Sequence, residues 1–169
     1  MPQIIILEKS IVINVTPAKI YKALINAQEL MRWRADRAES DALIGGTIVI
    51  VRGNHEARGV YKRLTPNREV AIYWDRHDRM LPEDLTLFRL EKTAKGTKVF
   101  VDDFALPEEV DRISAEWDAQ LKQLKKVYQA ASPKPKAKST SAKKATFKRK
   151  PVAKAKPTRQ AGKPKRKKK

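Results

Sequence analysis

Two histidines, one pair of adjacent carboxylates, a scatter of large aromatic rings and a dense run of cations are the residues of this 169-residue chain whose types could do chemistry. His55 and His77 are the only histidines, each among charged neighbours in a stretch that reads as loop. A metal centre needs several ligands at defined geometry, and a general base needs an orienting partner. The sequence supplies neither, so both histidines are expected at the surface and no metal is assigned. Asp102 and Asp103 sit next to each other on a strand-like segment. Successive strand residues point to opposite faces, so the two cannot face each other as acid and base. One of them is expected to turn inward, beside Phe100 and Phe104. No Gly-x-Ser-x-Gly, His-Glu-x-x-His or phosphate-cradling glycine loop occurs. Cysteine is absent, which removes disulfides, thiol nucleophiles and thiolate metal sites and fits a reducing cytoplasm. No catalytic residue and no cofactor follow from these residues.

The cations are concentrated at one end. Of the 38 Lys and Arg residues, 17 lie in Ser132–Lys169, where there is no Asp or Glu, so that segment carries +17 and Met1–Ala131 only +2. A stretch this charged and this poor in apolar residues cannot bury enough surface to offset its chain entropy, and it attracts polyanions. Pro133, Pro135, Pro151, Pro157 and Pro164 prevent a continuous helix, while 136–150 is free of proline and could turn helical once phosphates neutralise its charge. We expect DNA or RNA to be held by Lys143, Lys144, Lys148, Arg149, Lys150, Lys163, Lys165, Arg166, Lys167, Lys168 and Lys169. Phe147 is the only aromatic there, so contact should be with the phosphate backbone and indifferent to sequence. The clusters 148–150 and 163–169 would read as import signals in a nucleus; in a bacterium the same tail would place the protein at the nucleoid.

The rest of the chain divides into elements that alternate in period. Ile4–Val15 is rich in β-branched residues and predicts a long strand, then Thr16-Pro17 starts a helix with Ile20, Tyr21, Leu24 and Ile25 on one face. A short helix is expected over Ala27–Trp33. Beyond Arg34 the pattern is of strands: Thr47–Arg52 after a Gly45-Gly46 turn, Ala57–Leu64, Glu69–Asp75 after Pro66-Asn67, then Leu85–Glu91 and Lys98–Phe104 joined through Ala94-Lys95-Gly96. Pro107 opens a helix in which Val110, Ile113, Trp117, Leu121, Leu124 and Tyr128 recur at steps of three and four. An antiparallel sheet curved around that helix, an α+β fold, is the simplest solution, with one domain over 1–131 and a basic tail over 132–169. The apolar start Ile4–Leu7 is stopped by Glu8 and Lys9, too short for a secretory signal, and no run approaches a membrane span. A cytoplasmic protein is the expectation.

Several of these residues together resemble a known family. Ile13-Asn-Val-Thr-Pro-Ala-Lys-Ile-Tyr-Lys-Ala-Leu24, then Leu30 and Trp33, Gly45-Gly46, Gly59 through Leu64-Thr-Pro-Asn67, Trp74, Leu106-Pro107, and Trp117 ahead of Leu121 and Leu124 are similar in order and spacing to the START-like SRPBCC superfamily. Within it, the order most resembles the domain family named after the C-terminal domain of the activator of heat-shock protein 90 ATPase, over about Gln3–Val127. The resemblance implies a helix-grip fold, often around an apolar cavity. Its members include lipid and polyketide binders, cyclases and a co-chaperone domain. Trp33, Tyr61, Tyr73, Trp74, Phe88, Phe104 and Trp117 fall on the elements that line the cavity in similar folds. They either wall a pocket for a small apolar ligand or fill the space around the helix. Val51–Glu56, where polar residues interrupt the apolar pattern, suggests a local rearrangement of one hairpin. The leading expectation is a non-enzymatic domain binding an apolar ligand or a protein partner and tethered to nucleic acid. A cyclase- or hydrolase-type enzyme with a passive tail is the rival. A chaperone ATPase regulator comes third, because the chain begins directly on this domain and carries the basic tail instead of the co-chaperone's preceding domain.

Overall fold

The computed structural model describes residues 3–75 and 84–130. Ile5–Ile13 forms β1, the alternating strand expected from its β-branched residues, and it ends two residues before Val15. Pro17–Ile25 (α1) and Ala27–Trp33 (α2) follow. Thr16 occupies the N-cap of α1 in extended geometry, but its hydroxyl makes no cap bond, so Pro17 in the first turn supplies the start signal. Asn26 serves both helices: its N–H donates to Lys22 O at the end of α1, and its Oδ1 accepts from Glu29 N at the start of α2.

Arg37–Ser40 (β2), Thr47–Arg52 (β3), His55–Thr65 (β4), Glu69–Asp75 (β5), Leu85–Thr93 (β6) and Gly96–Ala105 (β7) join β1 in a seven-stranded sheet of order β1-β7-β6-β5-β4-β3-β2. Every neighbouring pair is antiparallel. β2 to β7 thus run as a meander, and β1 returns from the start of the chain to lie beside β7. A 3-10 turn over Pro107–Glu109 then leads into α3, Val110–Ala130.

The inner face of the curved sheet grips α3. Ile113, Trp117, Leu121, Leu124 and Tyr128 are all buried against it, and Val110 packs at the edge of the same cluster. The sheet contributes Ile13, Ile48, Ile50, Tyr61, Val70, Ile72, Trp74, Phe88, Leu90, Val99 and Val101, the alternate residues of each strand. Apolar area removed from water by these side chains is the main force closing sheet on helix. Lys9 from β1 reaches Asp118 of α3 at 3.0 Å and fixes one side of the grip. The fold is the α+β helix grip anticipated from the resemblance.

The hairpin over Val51–Glu56 is not rearranged. Its register runs unbroken from Thr47↔Val60 to Arg52↔His55, with Gly53-Asn54 as a two-residue turn and Gly53 at φ +57°, the left-handed region that such turns require. The polar residues that interrupt the pattern there are turn residues. The irregularity lies one strand over, between Tyr61 and Arg63 in the pairing of β4 with β5.

Candidate functional site

Trp33 is the last residue of α2, and its indole N–H donates to Ala23 O of α1 at 3.0 Å. The chain leaves the helical geometry at Arg34 (φ −122°, ψ −26°), whose N–H still donates to Leu30 O. This position carries Arg34 to a cluster of aromatic rings. The guanidinium carbon lies 5.0 Å from the ring centre of Trp117, 5.1 Å from Trp74 and 5.9 Å from each of Trp33 and Phe88. Each ring presents electron-rich density to the cation, an attraction that grows as water is excluded. Phe88 and Trp117 meet edge to face, at 5.6 Å and 77°. Gly59 is what lets the Trp74 indole lie across β4, since a Cβ there would come within 2.9 Å of the ring.

A carboxylate completes this arrangement. Asp103 is 2 % exposed and accepts from the Trp117 indole N–H at 2.7 Å, from the Thr86 hydroxyl at 3.2 Å and from Phe104 N at 3.0 Å. Thr86 Oγ1 in turn accepts from the Trp74 indole N–H at 2.9 Å. Two tryptophans are thereby locked in orientation through one buried carboxyl group. Asp103 is the inward member of the pair. Asp102, on the outer face, receives Arg89 in a forked contact at 3.2 Å from each nitrogen.

Of the seven aromatic residues picked out from sequence, Trp33, Tyr61, Trp74, Phe88 and Trp117 are buried on the inner side. Tyr73 and Phe104 are not brought to it. Tyr73 follows the alternation of β5, in which Val70, Ile72 and Trp74 point inward, and it lies on the outer face under the Lys62 ammonium. Phe104 and Phe100 likewise alternate with inward Val99, Val101 and Asp103. The expectation that the inward carboxylate would stand beside these two phenylalanines is corrected by the same parity. Tyr61 shares a hydrogen bond of 2.8 Å with Ser40, and burial raises its hydroxyl pKa above the ordinary value.

Outside the ring cluster, a groove of about 760 Å³ runs between the β3–β4 hairpin and α3. Ile50 and Ala57 form one wall, Ala115, Ala119 and Gln120 the other, and Arg34 lies at its inner end. Arg52, His55 and Glu56 of the hairpin and Arg112 and Glu116 of the helix surround the opening. Glu56 is held by Arg58 at 2.6 Å, and Glu116 by Arg112 at 3.6 Å. His55 is exposed, as expected; His77 and the eleven cations named in the basic segment lie outside the described residues. Among the described residues no three His, Cys, Asp or Glu side chains are grouped to hold a metal, and no helix is long and apolar enough to cross a membrane.

Arg34 was not singled out by its residue type or spacing. Its one sequence signal is a cation directly behind a helix-ending tryptophan, which becomes informative only when Trp74, Phe88 and Trp117 converge on it from three other elements.

Residues 14–129 match the family model described as Activator of Hsp90 ATPase homolog 1-like protein. Among solved structures, the solution structure of the Aha1 dimer from Colwellia psychrerythraea superposes with a TM-score of 0.69 at 19% identity, covering 76% of this chain and 99% of that one. A protein from Mesorhizobium loti gives 0.64 at 15% identity, covering 78% and 100%. An AHSA1-like protein from Aeromonas hydrophila gives 0.63 at 16%, covering 75% and 94%. At these identities the likeness is one of fold. No match was found among curated proteins.

Proposed function

The chain belongs to the activator of Hsp90 ATPase homolog 1-like family, and we propose that it serves there as a binding module, taking a small apolar ligand in the groove beside α3 and tethered to nucleic acid by its basic segment. The observation that carries the first half is the groove itself: its walls are small and aliphatic at Ile50, Ala57, Ala115 and Ala119, and it reaches Arg34, which lines it although the four rings around that guanidinium do not. A concave site with an aliphatic strip suits an apolar body, while the rest of its lining, from Arg52 and His55 to Gln120, is polar. Binding is favoured over catalysis because the carboxylates at hand are engaged elsewhere and His55, at the opening, has no orienting side-chain partner among the described residues. Asp103 already accepts from Trp117, Thr86 and Phe104, and Glu56 and Glu116 are tied to arginines. The second half rests on 17 cations without one acidic residue in Ser132–Lys169.

The groove is tested with the neutral dye N-phenyl-1-naphthylamine, which has no charge to draw it to the basic segment. The parent should bind it saturably with bright emission. Ala119→Phe, which fills the helix wall, should weaken binding by about tenfold or more, a loss of the order expected for blocking a few buried methylenes of contact. Equal binding by parent and variant, or none by the parent, overturns the groove reading.

A further inference from the structure

The mouth of the groove has a sign. On β3, Ile48, Ile50 and Arg52 follow one another on the same face, so the aliphatic wall ends on a guanidinium. Arg52 makes no ion pair among the described residues, although acidic side chains are close by. Glu56 is turned to Arg58 at 2.6 Å. Glu116 is turned to Arg112, which Glu109 also holds at 3.0 Å. Asp36, behind the hairpin, accepts the Gly53 N–H at 2.7 Å. Arg34, Arg52 and Arg112 line the groove with Glu56 and Glu116, and at its mouth Arg52 is the guanidinium that no carboxylate holds among the described residues. Arg34, at the inner end, stands among rings of which Trp117 is tied to the buried Asp103 carboxylate. Gln120 adds a polar point, because its Oε1 is buried in the helix wall with no hydrogen-bond partner among the described protein groups.

Resting on the reading that the groove holds a ligand, we infer that this ligand is an amphipathic anion: an apolar chain or ring that ends in a carboxylate or similar planar acid, the acid received by Arg52. A planar carboxylate matches the forked N–H donors of a guanidinium, which makes this contact directional as well as charged. An apolar body of modest length lies along Ile50, Ala57, Ala115 and Ala119, and a hydroxyl or amide on it would complete Gln120.

The experiment is a competition on the full-length protein at about 150 mM salt, where interactions between exposed charges are screened beyond about 8 Å. Decanoate, decanol and decylammonium are titrated against bound N-phenyl-1-naphthylamine, and tryptophan emission is followed in parallel. All three tryptophans surround Arg34 and none lies in Ser132–Lys169, so this emission does not respond to anions held by the basic segment. Decanoate should displace the dye about tenfold more strongly than decanol, the increment of one charge-assisted bond. In Arg52→Gln that preference should fall to about twofold or less while decanol is unchanged, and Arg52→Lys should recover part of it. Arg52 is exposed, so the variants test recognition rather than folding. Equal displacement by decanoate and decanol, or stronger displacement by decylammonium, overturns the inference and leaves the groove reading intact. Failure of all three to displace a dye that Ala119→Phe does exclude rejects the amphipathic acid. Failure of the dye itself to bind removes the groove reading and the inference with it.

Discussion

Trp117 packs edge-on to Phe88, lies against the Arg34 guanidinium and donates its indole N–H to Asp103. These roles separate by substitution. Trp117→Ala removes a buried ring and leaves a cavity, at an expected cost of about 3–5 kcal/mol. Trp117→Phe keeps most of the ring but deletes a donor from a buried carboxylate, at about 1–3 kcal/mol. Urea denaturation of both variants measures the two costs. If the Phe variant is as stable as the parent, the Thr86 and Phe104 donors satisfy Asp103 without the indole. The buried stripe that contains Trp117 was legible in the sequence because its steps of three and four place every member on one face of a helix. The destination of Arg34 was not legible, since no local pattern says that three distant rings will meet there. Tyr73 and Phe104 were misplaced although the sequence held the signal. Tyr73 adjoins Trp74 and Phe104 adjoins Asp103 on strands, and adjacent strand residues cannot both point inward.

Between elements, the contact of α2 with α3 is made by Glu29, whose carboxylate accepts from the Tyr128 hydroxyl while Arg32 stacks over the Tyr128 ring at 5.3 Å. The Tyr128 bond holds the Glu29 pKa below its ordinary value, and burial together with Glu29 raises that of Tyr128. Glu29 is lowered in the folded state, so its contribution is complete above the ordinary glutamate value, about 4.3, and is lost as pH falls below it. Tyr128 is raised, so its share is complete below about pH 10 and is lost as pH climbs further. Tyr128→Phe should therefore cost about 1–2 kcal/mol near neutral pH and flatten both limbs of the stability–pH curve. Thermal melts across pH 3–11 would show it; parallel curves for parent and variant would mean the hydroxyl does not couple the helices. Element legibility followed the strength of apolar alternation. α2, β3 and β5 have the bounds their sequence suggested, and β6 and β7 are joined where expected, through Ala94-Lys95 with Gly96 already paired to Thr93. β2 escaped notice because Arg37-Ala-Glu-Ser40 is four residues long, with only Ala38 and Ser40 partly covered. It exists because β3 offers it a hydrogen-bonding edge, a cause outside its own composition.

At the scale of the molecule, 1–131 should fold without the basic segment, since its strands, caps and helix stripe form one consistent unit. Truncation after Ala131 should leave the melting curve nearly unchanged. Affinity of the full chain for duplex DNA should follow salt with a log–log slope near −0.9 per neutralised phosphate, so that with about 6–10 contacts it drops by roughly 10³–10⁵ between about 50 and 200 mM. Two unrelated duplexes should bind alike, and Ser132–Lys169 alone should keep the affinity that 1–131 lacks. Binding retained by 1–131, or a preference for one duplex, would move recognition into the folded domain; no binding by the full chain at low salt would make the segment a passive appendage. The strand order has a further consequence during synthesis. Among the described residues β1 pairs with β7 alone, and its partners from Thr97 to Ala105 come 84 to 100 residues later in the chain. At about 5–20 residues per second, the first strand leaves the ribosome roughly 4–20 s before the edge that will receive it. Throughout that wait it is a β-prone segment with unpaired N–H and C=O groups, open to the same strand of a neighbouring nascent chain. Glu8 and Lys9, which break its apolar run, are residues of the kind that discourages such pairing.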